Sequence, residues 1–88
     1  MKFFAFWKYD RPPYLIGSEI EKFYEDGTVA VVSMKGYVIK PIKIVPLEVG
    51  IKLRNELEIE FQKYETTRIA SLNKLKKFVE EIYNYKEE

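Results

Sequence analysis

The chain has 88 residues, which suits a single domain, and 47% of them are hydrophobic, a composition typical of a folded protein. Cysteine and histidine are both absent, which excludes disulfides, thiolate nucleophiles, imidazole bases and the usual zinc ligands. Fifteen basic and fourteen acidic residues give a net charge of +1, so tight binding of duplex DNA by phosphate neutralisation is not expected.

The first predicted strand runs from Lys2 to Tyr9 and is aromatic on both of its alternating faces. Phe4 and Phe6 fall on one face, whereas Phe3, Ala5 and Trp7 fall on the other. Burial on both faces predicts a sheet that is covered by a helix or closed on itself as a small barrel.

The apolar run near the N-terminus, Phe3 to Trp7, is too short for a signal peptide or a membrane span, so we expect a cytoplasmic protein that does not enter a membrane.

An exposed connection is predicted at Asp10–Pro13, because consecutive prolines interrupt a strand. A second strand follows from Tyr14 to Tyr24. Gly17 lies inside it, which indicates a bulge or a close backbone approach.

Two tight turns are predicted in the next stretch. Asp26–Gly27 is typical of a two-residue hairpin loop, and Lys35–Gly36 offers a second turn between runs of strand-forming residues. Pro41 cannot donate a ladder hydrogen bond, so we expect it at an edge or at a bend between two strands. Lys40 and Lys43 on either side of it fit a protected edge.

From Glu48 onward the sequence predicts helix, because Glu, Lys, Leu and Gln dominate and proline is absent. The apolar side chains fall within an arc of about 140° when each residue turns by 100°. This shared phase favours one unbroken helix, although a helical hairpin near Thr66–Thr67 remains open. The predicted fold is α+β: one domain over residues 1–88, with a small antiparallel sheet or SH3-like partial barrel (1–47) and a long helical part (48–88).

The two alternatives for the helix predict different assemblies. A straight helix would extend roughly 60 Å and leave its second half exposed, so it predicts a homodimer or higher oligomer. A hairpin predicts a monomer with both arms packed on the sheet. In the first case the oligomer interface would consist of Leu72, Leu75, Phe78, Val79 and Ile82.

Basic and aromatic side chains alternate at several positions of the β part, as in proteins that bind single-stranded nucleic acid or a nucleotide. Aromatic residues in the core and at its boundary would explain the same pattern without a binding function. Acidic residues such as Glu19 and Glu21 are ordinary for an exposed strand face, and we expect no enzyme activity, no cofactor and no metal. The candidate residues for binding a partner or nucleic acid are Lys8, Tyr9, Arg11, Tyr14, Lys35, Tyr37 and Lys40.

The stretches FWKYDRPPYLIGSEI and GYVIKPIKIVPLEVG, followed by the long Glu/Lys helix, resemble small uncharacterised accessory proteins of phages and mobile elements of low-GC Gram-positive bacteria. The resemblance covers most of the chain, and its motifs are structural. It implies a non-enzymatic protein that acts in the host cytoplasm as a stoichiometric inhibitor of a host protein, for example of the anti-CRISPR type.

Overall fold

The computed structural model describes residues 2–11, 13–64 and 69–84, and within helical residues 63–75 it describes only the backbone of 63–64 and 69–75. These ranges form five strands followed by two helices. The elements are β1 (Phe3–Lys8), β2 (Leu15–Phe23), β3 (Val29–Val31), β4 (Val38–Ile39), β5 (Lys43–Pro46), α1 (Leu47–Tyr64) and α2 (Ile69–Tyr83).

The strands form one antiparallel sheet in the order β4-β3-β2-β1-β5. The first four strands are a meander, and β5 returns to pair with β1, where Phe4 lies opposite Val45. The predicted α+β fold with a small antiparallel sheet and a helical C-terminal part is confirmed. The sheet is open, because β4 and β5 form its two edges.

Both faces of β1 are buried, as its aromatic pattern predicts. Phe4 and Phe6 belong to a cluster that the helices cover, while Ala5 belongs to a second cluster on the other face with Ile20 and Val29. The register of β2 shifts just after Ile20, where its pairing with β3 begins. Such an irregularity bends a strand, so β2 serves both parts of the sheet.

Two glycines allow close packing against the phenylalanines of β1. A Cβ on Gly17 would lie 2.7 Å from Phe6 Cδ1, which confirms the predicted close approach. The irregularity of β2 lies further along the strand, so the alternative of a bulge at Gly17 is wrong. A Cβ on Gly50 would lie 2.5 Å from Phe4 Cδ1, so the first turn of α1 packs directly on β1.

The hairpin at Asp26–Gly27 is confirmed, but its loop is longer than the two residues predicted. The Tyr24 amide donates to the Thr28 carbonyl at 3.0 Å, and the Gly27 amide donates to the Tyr24 carbonyl at 3.2 Å. Gly27 has a φ of 89°. A turn followed by one left-handed residue is the usual three-residue hairpin loop, and it keeps the twist of the flanking strands.

Asp26 stabilises this loop through its carboxylate. Its Oδ1 accepts hydrogen bonds from Thr28 Oγ1 at 2.6 Å and from the Thr28 amide at 3.0 Å. These bonds lower the pKa of Asp26, with a smaller contribution from the charge of Lys40. The side chain thus holds the loop in one conformation.

The second turn and the position of Pro41 are also as predicted. Gly36 has a φ of 86°, and the Tyr37 amide donates to the Met34 carbonyl at 3.2 Å. Pro41 lies between β4 and the edge strand β5. Lys43 Nζ on β5 donates to the Tyr83 carbonyl at 3.5 Å, which ties the edge strand to the end of α2.

The favoured prediction of one unbroken helix is wrong. The described residues form two helices, and α2 folds back and packs beside α1. Val79 and Ile82 are only 4% and 2% exposed, in the same cluster as Phe4 and Leu53. Residues 65–68, between the two helices, are not described, so the alternative of a turn near Thr66–Thr67 lies outside the described residues.

The physical reason is the burial of apolar surface. When α2 folds back, its apolar side chains are buried in the core, whereas a straight helix would leave them in water at a cost of about 25 cal/mol per Å². The expected exposure of Val79 and Ile82 is therefore wrong, and Phe78 is half-buried against the same cluster. The side chains of Leu72 and Leu75 lie outside the described part of the chain. Assembly into a homo-oligomer stays a prediction, but the exposure of a straight helix no longer supports it.

Neither helix, within the described residues, combines the length and the hydropathy needed to cross a membrane.

Candidate binding surfaces

A groove of about 420 Å³ lies between the β1–β2 connection and α2, and we call it the loop groove. Its β side carries three of the predicted binding residues, and its helical side carries residues from the last turns of α2. The lining residues are Lys8, Tyr9, Tyr14, Lys76, Val79, Glu80 and Tyr83.

Hydrogen bonds and an unusual backbone conformation shape the connection beside this groove. The Tyr9 amide donates to the Tyr14 carbonyl at 3.1 Å, and the Tyr14 amide donates to the Arg11 carbonyl at 2.7 Å. Tyr14 has a φ of 70°, in the left-handed region that bulky side chains avoid. Such a conformation costs on the order of 1–3 kcal/mol and persists only where the surrounding structure holds it.

The charges and aromatic rings of the loop groove are arranged in pairs. Lys76 Nζ lies 5.2 Å from the centre of the Tyr14 ring, a cation–π contact between α2 and the loop. A phenol is protonated at neutral pH, and burial raises the pKa of Tyr83 further, so this hydroxyl can donate a hydrogen bond. Lys8 brings a second cation, and Glu80 brings a carboxylate. The groove therefore combines aromatic surface with two ammonium groups.

A second surface lies on the outward side of the three-stranded β2–β3–β4 ribbon, and we call it the ribbon face. Lys22, Ala30 and Val38 are neighbours across these strands. Tyr37 and Val38 are 66% and 59% exposed, and Lys22 Nζ lies 5.2 Å from the Tyr24 ring centre. The residues of this surface, which encloses a depression of about 500 Å³, are Glu21, Lys22, Tyr24, Ala30, Gly36, Tyr37 and Val38.

The structure divides the predicted binding residues between two places. Lys8, Tyr9 and Tyr14 meet in the loop groove, and Arg11 is exposed in the connection beside it. Tyr37 belongs to the ribbon face. Lys35 and Lys40 are exposed close to that face in sequence, and they do not line the loop groove.

Sequence reasoning missed the residues that complete these surfaces. Lys76 and Tyr83 join the loop groove only because α2 folds back, which the apolar phase of the helices does not require. Tyr24 and Val38 belong to predicted strands, and the alternation of side chains along those strands was a usable signal for the exposed face.

A third groove, of about 370 Å³, separates α1 from α2. Apolar side chains including Leu53 and Phe78 form its floor, and Glu48, Glu56 and Glu81 line it together with Lys52. Among residues 2–11, 13–64 and 69–84, acidic side chains form no group of three that would suit a metal ion.

Comparisons of the chain with protein-family models, with curated proteins and with solved structures found no match. The candidate surfaces are therefore interpreted from their own geometry and chemistry.

Proposed function

We propose that this chain is a non-enzymatic binding protein that contacts another protein through the ribbon face. The observation that carries the proposal is the exposure of Tyr37 and Val38 beside Tyr24. Contiguous exposed apolar surface marks interaction sites, and tyrosine is enriched among the residues that dominate binding energy. This face has the composition of a protein interface.

The charges of the ribbon face favour a protein over a polyanion as the partner. Glu21 and Lys22 lie side by side on it, so the two charges balance. A surface that binds nucleic acid through phosphates needs an excess of basic side chains. Aromatic and apolar contacts, surrounded by charges of both signs, therefore supply the affinity.

Local hydrogen bonds hold the ribbon face in a fixed conformation before a partner binds. Ser18 Oγ accepts a hydrogen bond from the Ser33 amide at 3.2 Å, and the Val32 amide donates to the Glu19 carbonyl at 3.0 Å. These bonds attach the β3–β4 connection to β2. A surface that is ordered in advance loses less entropy on binding.

The proposed biological role follows from the resemblance of the chain to accessory proteins of phages and mobile elements. In this role the protein acts in the host cytoplasm and occupies a host protein at a fixed stoichiometry. Inhibition then results from occupying a surface of the target, as an anti-CRISPR protein does. The binding energy comes from the ribbon face, and no bond in the target is changed.

The test compares two variants with matched exposure. Tyr37→Ser combined with Val38→Thr removes the apolar surface of the ribbon face, whereas Ile59→Ser removes an equally exposed apolar side chain from α1, where Ile59 is 63% exposed. Proteins captured from a Gram-positive host lysate are quantified for wild type and both variants, and the selected target is purified and titrated calorimetrically.

The proposal predicts that one target is retained by Ile59→Ser, lost by the ribbon variant, and saturated at a fixed molar ratio. Thermal melting must show that both variants are folded. Equal capture by the two variants, or a target that binds without saturation, would contradict it.

A further inference from the structure

We propose that the loop groove is a second binding site, which holds one nucleotide of a single-stranded nucleic acid. This site is separate from the ribbon face, and its assignment does not depend on the protein partner proposed above. The evidence is the meeting of an exposed tyrosine, two lysines and a strained loop in one groove. Its volume of about 420 Å³ lies in the range of small-ligand sites.

Tyr9 provides the surface on which a base stacks. Its side chain is 41% exposed at the end of β1, where it lines the groove. Stacking on an aromatic ring needs no specific base, because every base presents a π face. Tyr14 has a different role, since its ring is half-buried against the core and Lys76 occupies a position above it.

Lys76 and Lys8 provide the contacts to a phosphate. The cation–π contact with Tyr14 restrains the Lys76 ammonium group in the groove before a ligand arrives. Lys8 lines the same groove from the β side, so a phosphate between them meets a cation on each side. Arg11, exposed in the adjoining connection, is placed to contact the next phosphate of a strand.

The strained conformation of Tyr14 belongs to this arrangement. A φ of 70° is unfavourable for tyrosine, and the hydrogen bonds from Tyr9 and to Arg11 maintain it. Strained residues of this kind concentrate at ligand clamps. Here the conformation places the Tyr14 ring under Lys76, which makes Tyr14 a positioning residue for that cation.

The same charges argue against a duplex. Glu80 also lines the groove, so the lining residues carry a net charge of only +1. A duplex needs many phosphate contacts for tight binding, whereas a single strand gains affinity from stacking as well. The groove therefore discriminates in favour of unpaired nucleotides.

The test measures fluorescence anisotropy of a labelled thymidine octanucleotide at low salt with the full chain. Tyr9→Leu keeps an apolar side chain but removes the ring, and we expect it to weaken binding about ten-fold. Lys76→Gln is expected to lower affinity and to reduce the slope of log K against log salt by about 0.7. Glu80→Gln removes the opposing charge and is expected to tighten binding.

Two matched variants, one on the ribbon face and one close to it in sequence, are the controls. Tyr37→Leu and Lys35→Gln make the same chemical changes outside the loop groove, and they must leave the affinity for the octanucleotide unchanged. Chemical-shift changes in wild-type protein provide a readout that needs no variant. They are expected at the amides of Tyr9, Leu15 and Glu80.

Four results would overturn the proposal. The first three are equal binding by Tyr9→Leu and Tyr37→Leu, shift changes confined to the ribbon face, and competition by a duplex as effective as that by the single strand. The fourth is thymidine monophosphate that competes as well as the octanucleotide, because the site would then hold a free nucleotide. If the earlier experiment finds no protein partner for the ribbon face, these outcomes still decide whether the loop groove binds a nucleotide.

Discussion

The two ends of the sheet both carry aromatic and apolar side chains, but these are buried at one end and exposed on the outward face of the other. At the helix-covered end, Phe4 and Phe6 are fully buried beneath α1 and α2. At the ribbon end, Tyr37 and Val38 are the most exposed apolar side chains of the strands and their turns. The difference is whether a helix lies over the strand, because strand propensity is the same at both ends. It shows that the outward face of the ribbon end is available for contacts, whereas Ile20 and Val29 on the opposite face are buried.

The glycines divide in the same way. Gly17 and Gly50 lie where a Cβ would collide with the phenylalanine rings of β1, and their φ values are ordinary. Gly27 and Gly36 have open space around them, and their positive φ values are the reason for glycine. Packing therefore selects glycine at the helix-covered end, whereas backbone conformation selects it at the ribbon end.

The largest expected effect tests the helical hairpin. Ile82→Ala should destabilise the protein by about 2–5 kcal/mol, because it leaves a cavity in the cluster that joins α2 to the sheet. Ile59→Ala makes the same change at a position that is 63% exposed, and it should alter stability by less than about 0.5 kcal/mol. Urea unfolding followed by circular dichroism measures both. Similar losses for the two variants would contradict the described packing of α2.

A smaller effect tests the contact between α1 and β1. Alanine is favoured over glycine in a helix by about 1 kcal/mol, yet Gly50→Ala should destabilise the protein by about 1–3 kcal/mol. The new methyl group has no room, since it would meet the Phe4 ring. A rise in the thermal midpoint would show that α1 lies further from the sheet than described.

A last effect, of a size similar to that at Gly50, tests the ribbon end. Gly27→Val should cost roughly 1–3 kcal/mol through the strained φ, because nothing lies within 4 Å of the position that its Cβ would take. Gly27→Asn should cost less than about 1 kcal/mol, since asparagine tolerates left-handed backbone. Thermal melting compares the two variants. If they are equally stable, the positive φ is not what requires glycine.

Much of the β part followed from residue chemistry. The alternation of aromatic residues in β1 predicted burial on both faces, and the loop containing Gly27 and the break at Pro41 fall where turn chemistry placed them. These features depend on local rules of side-chain alternation and backbone freedom. Such rules act over a few residues, so these features can be predicted from the sequence.

The arrangement of the helices could not be predicted from the sequence. The apolar side chains fall at the same angles around one straight helix and around two helices that each face the core. The role of Gly50 is likewise a property of packing between α1 and β1. The loop groove depends on this arrangement of the helices. Lys76 meets Tyr14 across about sixty residues of chain only after α2 has folded back.

The central claim is that α2 folds back into the buried core of its own chain. Nuclear Overhauser effects between methyl groups of Ile82 and Leu53 test it most directly, since both belong to one buried cluster. In uniformly labelled protein we predict these effects. In an isotope-filtered spectrum of mixed labelled and unlabelled chains, which reports only contacts between chains, we predict none. Their appearance in the filtered spectrum would show that Ile82 packs against a second chain and would contradict the account.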